Sequence, residues 1–270
     1  MVRTLSNQND DQSSIDQSSI DQSNDAPLLD HLEELRTRII WAVAIWALAS
    51  VAGWFLVEPI SDAMRGLLSG YETSGGKVNF VFTGLTDKMS ASFQIALFAG
   101  LVLAMPGIVW QLWLYIAPAL TRSERRFGSP FVIFLGVMFA VGVAFAYLVV
   151  LPYAIPFLLG FGPFADITNQ IPLPAYILSI SLYLLVFGLV FELPMVMYLL
   201  GRFGLMTASF LSAYRRHAIM AIITLSAVIT PTVDPVNLAF MAVPLWVLFE
   251  FGIVLVRLAQ RGRNKGLEPV

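Results

Sequence analysis

Long stretches without a charged residue constrain this chain more than any other feature of its sequence. No Asp, Glu, Lys or Arg occurs from Met89 to Thr121, and none occurs from Phe127 to Ala165. A helix needs about 20 mostly apolar residues to cross the hydrocarbon core of a bilayer, and both stretches are longer than that. With 57% apolar residues, 13% charged residues and a mean hydropathy of +0.76, the chain is predicted to be a multi-pass membrane protein.

The apolar pattern predicts an all-α membrane protein with six transmembrane helices, several of them bent at proline. A structured extramembrane loop with an interfacial helix is expected after the first span, and a Pro/Gly-rich loop is expected after the third. Spans five and six are predicted to be short, about 21 to 23 Å against a core of roughly 30 Å, because Asp234 and Glu250 interrupt them. The predicted spans are about 39–57, 89–115, 127–151, 175–200, 217–230 and 236–256.

The predicted membrane domain covers residues 27–263 and begins with a short amphipathic helix that runs into the first span. Residues 1–26 carry a polar five-residue repeat, which is typical of a disordered tail, and residues 264–270 form a second tail. No cleavable signal is expected, because the N-terminus is polar and acidic. All but three of the 16 lysines and arginines lie on the side of the two termini, which predicts that both termini are cytoplasmic; the exceptions are Arg65, Lys77 and Lys88.

Glu192 and Pro194 stand inside the fourth predicted span. An ionisable residue in a span costs roughly 2.5 to 3.5 kcal/mol on insertion scales, so it usually faces a protein interior or a wet cavity. Pro194 removes one backbone hydrogen bond and bends the helix beside that carboxylate. Two interpretations stay open: a protonated Glu192 bonded to a neighbouring helix, or the polar floor of a concave intramembrane surface.

Two carboxylates, Glu34 and Glu124, stand among arginines on the predicted cytoplasmic face. The commoner role of such residues is a solvated salt bridge, which contributes about 0 to 1 kcal/mol. Alternatively, two carboxylates on one face could receive two guanidinium groups through forked, charge-assisted hydrogen bonds that lysine reproduces poorly. The pattern therefore favours either surface ion pairs or a site for a ligand with paired arginines.

The composition excludes several classes of chemistry. The chain has no cysteine, and its only histidines are His31 and His217, so disulfides, thiolate metal sites and multi-histidine metal sites are excluded and no cofactor is predicted. The sequence around Lys77 lacks the spacing of a phosphate-binding loop, so a non-enzymatic protein is predicted. Asp234 is expected to cap a turn, and Glu250 is expected to pair with Arg257.

An ordered set of motifs resembles TatC, the multi-spanning subunit of the twin-arginine protein translocase. Each motif is weak alone, but together they run in family order from about residue 28 to 263. The motifs are His31-Leu-x-Glu34-Leu-Arg36-x-Arg38, Gln111-x-Trp113-x-x-x-Ala117-Pro118-Ala119-Leu120 followed by Glu124-Arg125-Arg126, Ala144-Phe145-Ala146-Tyr147 with Pro152, Phe191-Glu192-x-Pro194, and Thr230-Pro231 with Asp234 and Pro244.

The resemblance implies a glove-like, concave receptor in the cytoplasmic (inner) membrane, driven by the proton gradient. It implies that twin-arginine signal peptides of folded precursors bind at a cytoplasmic site formed by Glu34, Glu124, Tyr115, His31 and Arg36, and that Glu192 lies in the concave wall. A hetero-oligomer with the single-span subunits TatA and TatB, surrounded by lipid and without nucleic acid, is also implied. Partner helices would dock on the fifth and sixth helices, with candidate contacts at Thr224, Thr230 and Asn237.

One position departs from the family pattern. TatC proteins often carry a glutamine four residues after the aspartate of the turn between spans five and six, where this chain has Leu238, with Asn237 beside it. Two other functions are also considered: a proton-coupled small-molecule transporter that uses Glu192, and a passive scaffold. Against the transporter, the spans show no inverted repeat and only one firm intramembrane carboxylate.

Overall fold

The computed structural model describes residues 31–73, 78–119, 125, 128–160, 168–229 and 234–265. The predicted tail at 1–26 lies outside these residues, as do Glu124 and Thr230. The described part is mostly helical, and five of its helices are long and apolar enough to cross a membrane.

Ten helices follow one another in the described part of the chain. A 3-10 turn, Ala117–Ala119, follows the fourth helix, and a π-helical turn, Ala146–Val150, joins the fifth to the sixth. The helices are α1 His31–Trp54, α2 Val57–Gly66, α3 Ser69–Thr73, α4 Asp87–Ile116, α5 Gly128–Phe145, α6 Leu151–Gly160, α7 Leu173–Arg202, α8 Ala208–Ala213, α9 Arg215–Ile229 and α10 Pro235–Lys265.

The chain after Leu151 is helical up to Gly160, so the prediction of a loop there is wrong over these residues. A proline ring inside an α-helix normally collides with the carbonyl four residues before it. Here the N–H of Leu151 bonds to the carbonyl of Ala146, five residues back, and this wider turn makes room for Pro152. The π turn therefore lets one helix continue from Pro130 to Gly160.

The last two helices differ from each other more than the sequence predicts. α9 has 15 residues, as expected for a short helix, but α10 has 31 residues and contains a 24-residue apolar segment, so the prediction of a short sixth helix is wrong. Glu250 lies inside α10 and does not end it, and its carboxylate accepts a hydrogen bond of 2.8 Å from Arg215 on α9. The predicted partner was Arg257; the pair with Arg215 instead ties α9 to α10.

α7 is the central helix of the bundle, since α4, α5 and α10 all pack against it. Its fully buried Phe187 belongs to a core cluster that also contains Ile95 of α4 and Met241 of α10. Glycine permits the closest of these contacts: a Cβ added to Gly142 of α5 would lie 2.5 Å from the carbonyl oxygen of Phe187. Close packing of small residues is a main source of helix association in membranes, where lipid is as apolar as the side chains.

α1 runs antiparallel to α4 and lies at the outside of the bundle. A Cβ added to Gly53 would lie 2.6 Å from the carbonyl oxygen of Ala96, so the two backbones nearly touch there. Further along, the indole N–H of Trp46 donates to the carbonyl of Leu97 at 3.0 Å. None of the residues in the most apolar 18-residue segment of α1 is buried, so most of this helix is left to face the surroundings.

The end of the bundle opposite His31 is closed by a cap, which consists of α2, α3 and a pair of short strands. These strands, β1 (Val78–Val81) and β2 (Asn169–Pro172), are parallel, with Val78 opposite Asn169. The hydroxyls of Tyr147 and Tyr176 donate to the carbonyls of Ala63 and Met64 at 2.9 and 2.7 Å. These two hydrogen bonds fasten the cap to α7 and the π turn.

Candidate functional site

The predicted site residues that the structure describes gather where α1 begins and α4 ends, which we call the site end. There the imidazole ring of His31 stacks on the ring of Tyr115, with centroids 4.6 Å apart and planes inclined by 18°. Such ring pairs contribute about 0.5 to 1.5 kcal/mol beyond the area they bury. The stack joins the first turn of α1 to the last turn of α4.

Glu34 lies one turn after His31, on the same side of α1. Its Oε1 accepts a hydrogen bond of 3.2 Å from Nη2 of Arg38, and the two side chains are 31% and 29% exposed. A pair of this kind within one helix contributes only about 0.3 to 0.5 kcal/mol. Because a carboxylate offers about four lone-pair positions, Glu34 can still accept bonds from a second guanidinium group.

Arg36 is exposed, and its position two residues after Glu34 places it on the opposite side of α1. The structure therefore brings His31, Tyr115 and Glu34 together but does not place Arg36 beside them. Glu124 lies outside the described residues. The next residue, Arg125, donates from Nε to the carbonyl of Ala117 at 2.6 Å and from Nη2 to that of Pro118 at 2.9 Å.

Glu192 lies on the side of α7 that packs against α4 and α5. Leu185 and Leu199, each two turns away on the same side of the helix, contact the cluster that contains Trp113 and Phe139. The Oε1 of Glu192 is buried, and it has no hydrogen-bond partner among the described residues. A buried acceptor without a partner costs about 1 to 3 kcal/mol, so this position is suited to a water molecule or a polar ligand group.

The candidate partner contacts lie on the last two helices. Thr224 is exposed on α9, and Asn237 belongs to the first turn of α10, while Thr230 lies outside the described residues. Along α9 only Ser226 is buried, so this helix presents most of its surface to the surroundings.

Sequence reasoning assigned no role in the site to Arg38 or Gln111, although both occur in the motifs. The Nε of Arg38 and the Oε1 of Gln111 are buried, and neither has a hydrogen-bond partner within the part of the chain that the structure describes. The sequence shows an arginine and a glutamine in two predicted neighbouring helices. It does not show that their polar atoms are buried, because burial depends on how the two helices pack against each other.

Comparisons with known proteins match this chain over most of its length. Residues 30–244 match the family model described as Sec-independent protein translocase protein (TatC). The TatC protein of Deinococcus radiodurans is 43% identical over 233 residues, which cover 86% of each chain. That of Desulforapulum autotrophicum is 34% identical over 244 residues, 90% of this chain and 88% of the relative. A crystal structure of the twin-arginine translocase receptor TatC matches with a TM-score of 0.76 and 30% identity, covering 85% of this chain and 99% of the other.

The helical fold and these matches define a multi-pass membrane component of a protein translocase. The chain belongs to the TatC family. The resemblance inferred from the ordered motifs is thereby confirmed.

Proposed function

We propose that this protein is the receptor and core subunit of a twin-arginine translocase and that it binds the paired arginines of signal peptides on folded precursors. The observation that carries the proposal is the carboxylate of Glu34, which is partly buried one turn beyond the His31–Tyr115 stack. This carboxylate already accepts a hydrogen bond from one guanidinium group, that of Arg38. Its surroundings are thus compatible with the group that a twin-arginine peptide would present.

Glu34 and Glu124 each receive one arginine of the peptide in this proposal. Hydrogen bonds between an arginine and a carboxylate contribute about 1.5 to 3 kcal/mol each when solvent is partly excluded. Lysine carries the same charge but cannot form the planar fork, so it binds less well. The stacked rings of His31 and Tyr115 supply a flat surface beside Glu34, on which a guanidinium plane or an apolar peptide residue can pack.

The same proposal includes six spans in the inner membrane, with the site end and both termini in the cytoplasm. The distribution of lysine and arginine along the sequence supports this orientation. The fifth span is then α9, whose 15 residues measure about 23 Å, less than the roughly 30 Å hydrocarbon core. A helix this short favours a thinned bilayer or cover by the single spans of TatA and TatB, near Thr224 and Asn237.

Energy for transport comes, in this proposal, from the transmembrane proton gradient, since the sequence lacks a nucleotide-binding motif. Glu192 provides a polar position in the wall that receives the apolar part of the signal peptide. Its buried Oε1, which lacks a partner among the described residues, supports this role. The family matches favour protein export over the small-molecule transport that Glu192 alone could also suggest.

Binding of labelled peptides to the purified protein in detergent tests the receptor site. We expect a peptide with Arg-Arg to bind at least about tenfold more tightly than its Lys-Lys counterpart, a difference of about 1.4 kcal/mol. Glu34→Gln removes one carboxylate and should weaken Arg-Arg binding by about tenfold or more.

Glu33→Gln is the matched control, because it removes the same charge from the neighbouring, exposed position of the same helix. Its binding should equal that of the unmodified protein. If Glu34→Gln binds the Arg-Arg peptide normally, or if both variants lose affinity equally, the assignment of Glu34 to the site is wrong.

A further inference from the structure

Arg38 of α1 and Gln111 of α4 lie within about one helical turn of each other along the contact between the two helices. At the site end His31 of α1 stacks on Tyr115 of α4. Further into the bundle, a Cβ added to Gly107 of α4 would lie 3.0 Å from Cγ2 of Ile45 of α1. Arg38 lies seven residues before Ile45 and Gln111 four residues after Gly107, so each is on the same side of its helix as that contact residue. The antiparallel register therefore places Gln111 within about one turn of the level of Arg38.

The two side chains have complementary atoms that lack partners among the described residues. The Nε of Arg38 can only donate a hydrogen bond and the Oε1 of Gln111 can only accept one. Both atoms are buried, and both are without a partner among the described residues. Buried polar atoms are nearly always hydrogen-bonded, so a donor and an acceptor this close together, without partners among the described residues, point to a second arrangement in which they meet.

The bond that Arg38 does make is a weak one. Its Nη2 lies 3.2 Å from Oε1 of Glu34, whereas charge-assisted N–H···O bonds are typically about 2.7 to 2.9 Å long. Both side chains are about a third exposed, so water can replace either partner. An incoming guanidinium group can therefore exchange with Arg38 on Glu34 without opening a buried, optimised ion pair.

We propose that Arg38 is an internal stand-in for the ligand: it occupies Glu34 in the unliganded receptor and turns to Gln111 when a peptide arginine takes its place. This inference rests on the proposed function of Glu34 as a peptide-binding residue. Arg38 is then a positioning residue, which keeps the carboxylate oriented and paired before the peptide arrives. Gln111 is the acceptor that makes the displaced guanidinium stable between the helices.

Peptide titration of Arg38→Gln tests the displacement step. Removing the resident guanidinium frees Glu34, so the Arg-Arg peptide should bind about three- to fivefold more tightly. The Lys-Lys peptide should gain by the same factor, because the free energy needed to release Glu34 does not depend on the ligand. Arg216→Gln, which removes an equal charge from an exposed position on α9, is the control and should leave binding unchanged.

A double-mutant cycle with Gln111→Leu tests the receiving position. In the unmodified background Gln111→Leu should weaken Arg-Arg binding about three- to fivefold, because the displaced Arg38 loses its acceptor. In the Arg38→Gln background the same substitution should have no effect. A merely structural role of Gln111 would instead weaken binding equally in both backgrounds, and that result would overturn the proposal.

Two further outcomes distinguish the failure of this inference from that of the receptor function. If Arg38→Gln melts like the unmodified protein and binds no more tightly, the stand-in role is wrong while the receptor site stands. If the unmodified protein shows no preference for arginine, the receptor site itself is wrong. Arg38→Lys keeps the charge and should give a smaller gain of about twofold; weaker binding by this variant also contradicts the stand-in role.

Discussion

α7 and α1 are both long, apolar helices, but α7 lies at the centre of the bundle and α1 lies at its edge. They have 30 and 24 residues, and the most apolar segment of each is apolar enough to cross a membrane. In α7, 56% of that segment is buried, whereas in α1 none of it is. Apolar length therefore selects helices that can cross a membrane but does not tell which one becomes the centre of the bundle.

Both helices take part in a close backbone contact at a glycine, but α7 also packs against two further helices. Gly142 lets α5 approach α7, and Gly53 lets α1 approach α4, in both cases to within van der Waals contact of the partner backbone. α7 also packs against α4 and α10, whereas the contacts of α1 at Ile45, Trp46 and Gly53 are all with α4. Stability is thus concentrated at α7, and the proposed binding residue Glu34 lies on the more accessible helix.

Gly142→Ala should give the largest effect, because the new Cβ would meet the carbonyl oxygen of the buried Phe187 at 2.5 Å. We expect a loss of about 2 to 3 kcal/mol in the free energy of unfolding, since neither backbone can move without disturbing the core. Gly66→Ala is the matched control: nothing lies within 4 Å of the added Cβ. That control should be neutral or slightly stabilising. Thermal unfolding in detergent measures both variants, and equal melting temperatures would contradict the central role of α7.

Gly53→Ala tests whether the position of α1 affects peptide binding. The added Cβ would lie 2.6 Å from the carbonyl oxygen of Ala96, but α1 can shift outward because it is not enclosed. We expect about 1 kcal/mol of destabilisation, less than for Gly142→Ala. The shift should move His31 away from Tyr115 and weaken Arg-Arg peptide binding by about fivefold. If this variant loses as much stability as Gly142→Ala, α1 is not a peripheral helix.

The smallest effect is expected at the ion pair between Arg215 and Glu250, which joins α9 to α10. Its side chains are 44% and 30% exposed, so solvent screens the attraction. Glu250→Gln should cost about 0.5 kcal/mol, an amount that decreases as salt is added. Unfolding followed at low and high ionic strength measures this difference. A loss that stays constant with salt would show that Glu250 stabilises α10 through packing rather than charge.

Part of the candidate site was expected from the sequence, because the ordered motifs resemble a known family, but Arg36, which was expected with it, lies on the opposite side of α1. His31 and Glu34 share a face of one helix, and Tyr115 ends another, so their types and positions were readable from the motifs. The predicted partner of Glu250, Arg257, was wrong. Arg257 is close to Glu250 in sequence, whereas the true partner, Arg215, lies at the start of the preceding helix and is brought close only by the fold. The β1–β2 pair was not predicted at all, because strands of four residues so far apart in sequence leave no recognisable pattern.

The sequence by itself determined that this chain is a multi-pass membrane protein of the TatC family, because charge-free length and ordered motifs are properties of the chain alone. It also determined which carboxylates were candidates for arginine recognition. Only the tertiary structure decided that α7 is central, that the helix continues past Pro152 through a π turn, and that one polar atom each of Arg38 and Gln111 is buried. These features depend on how closely two helix backbones approach and in which register, and such contacts join residues that no local pattern connects.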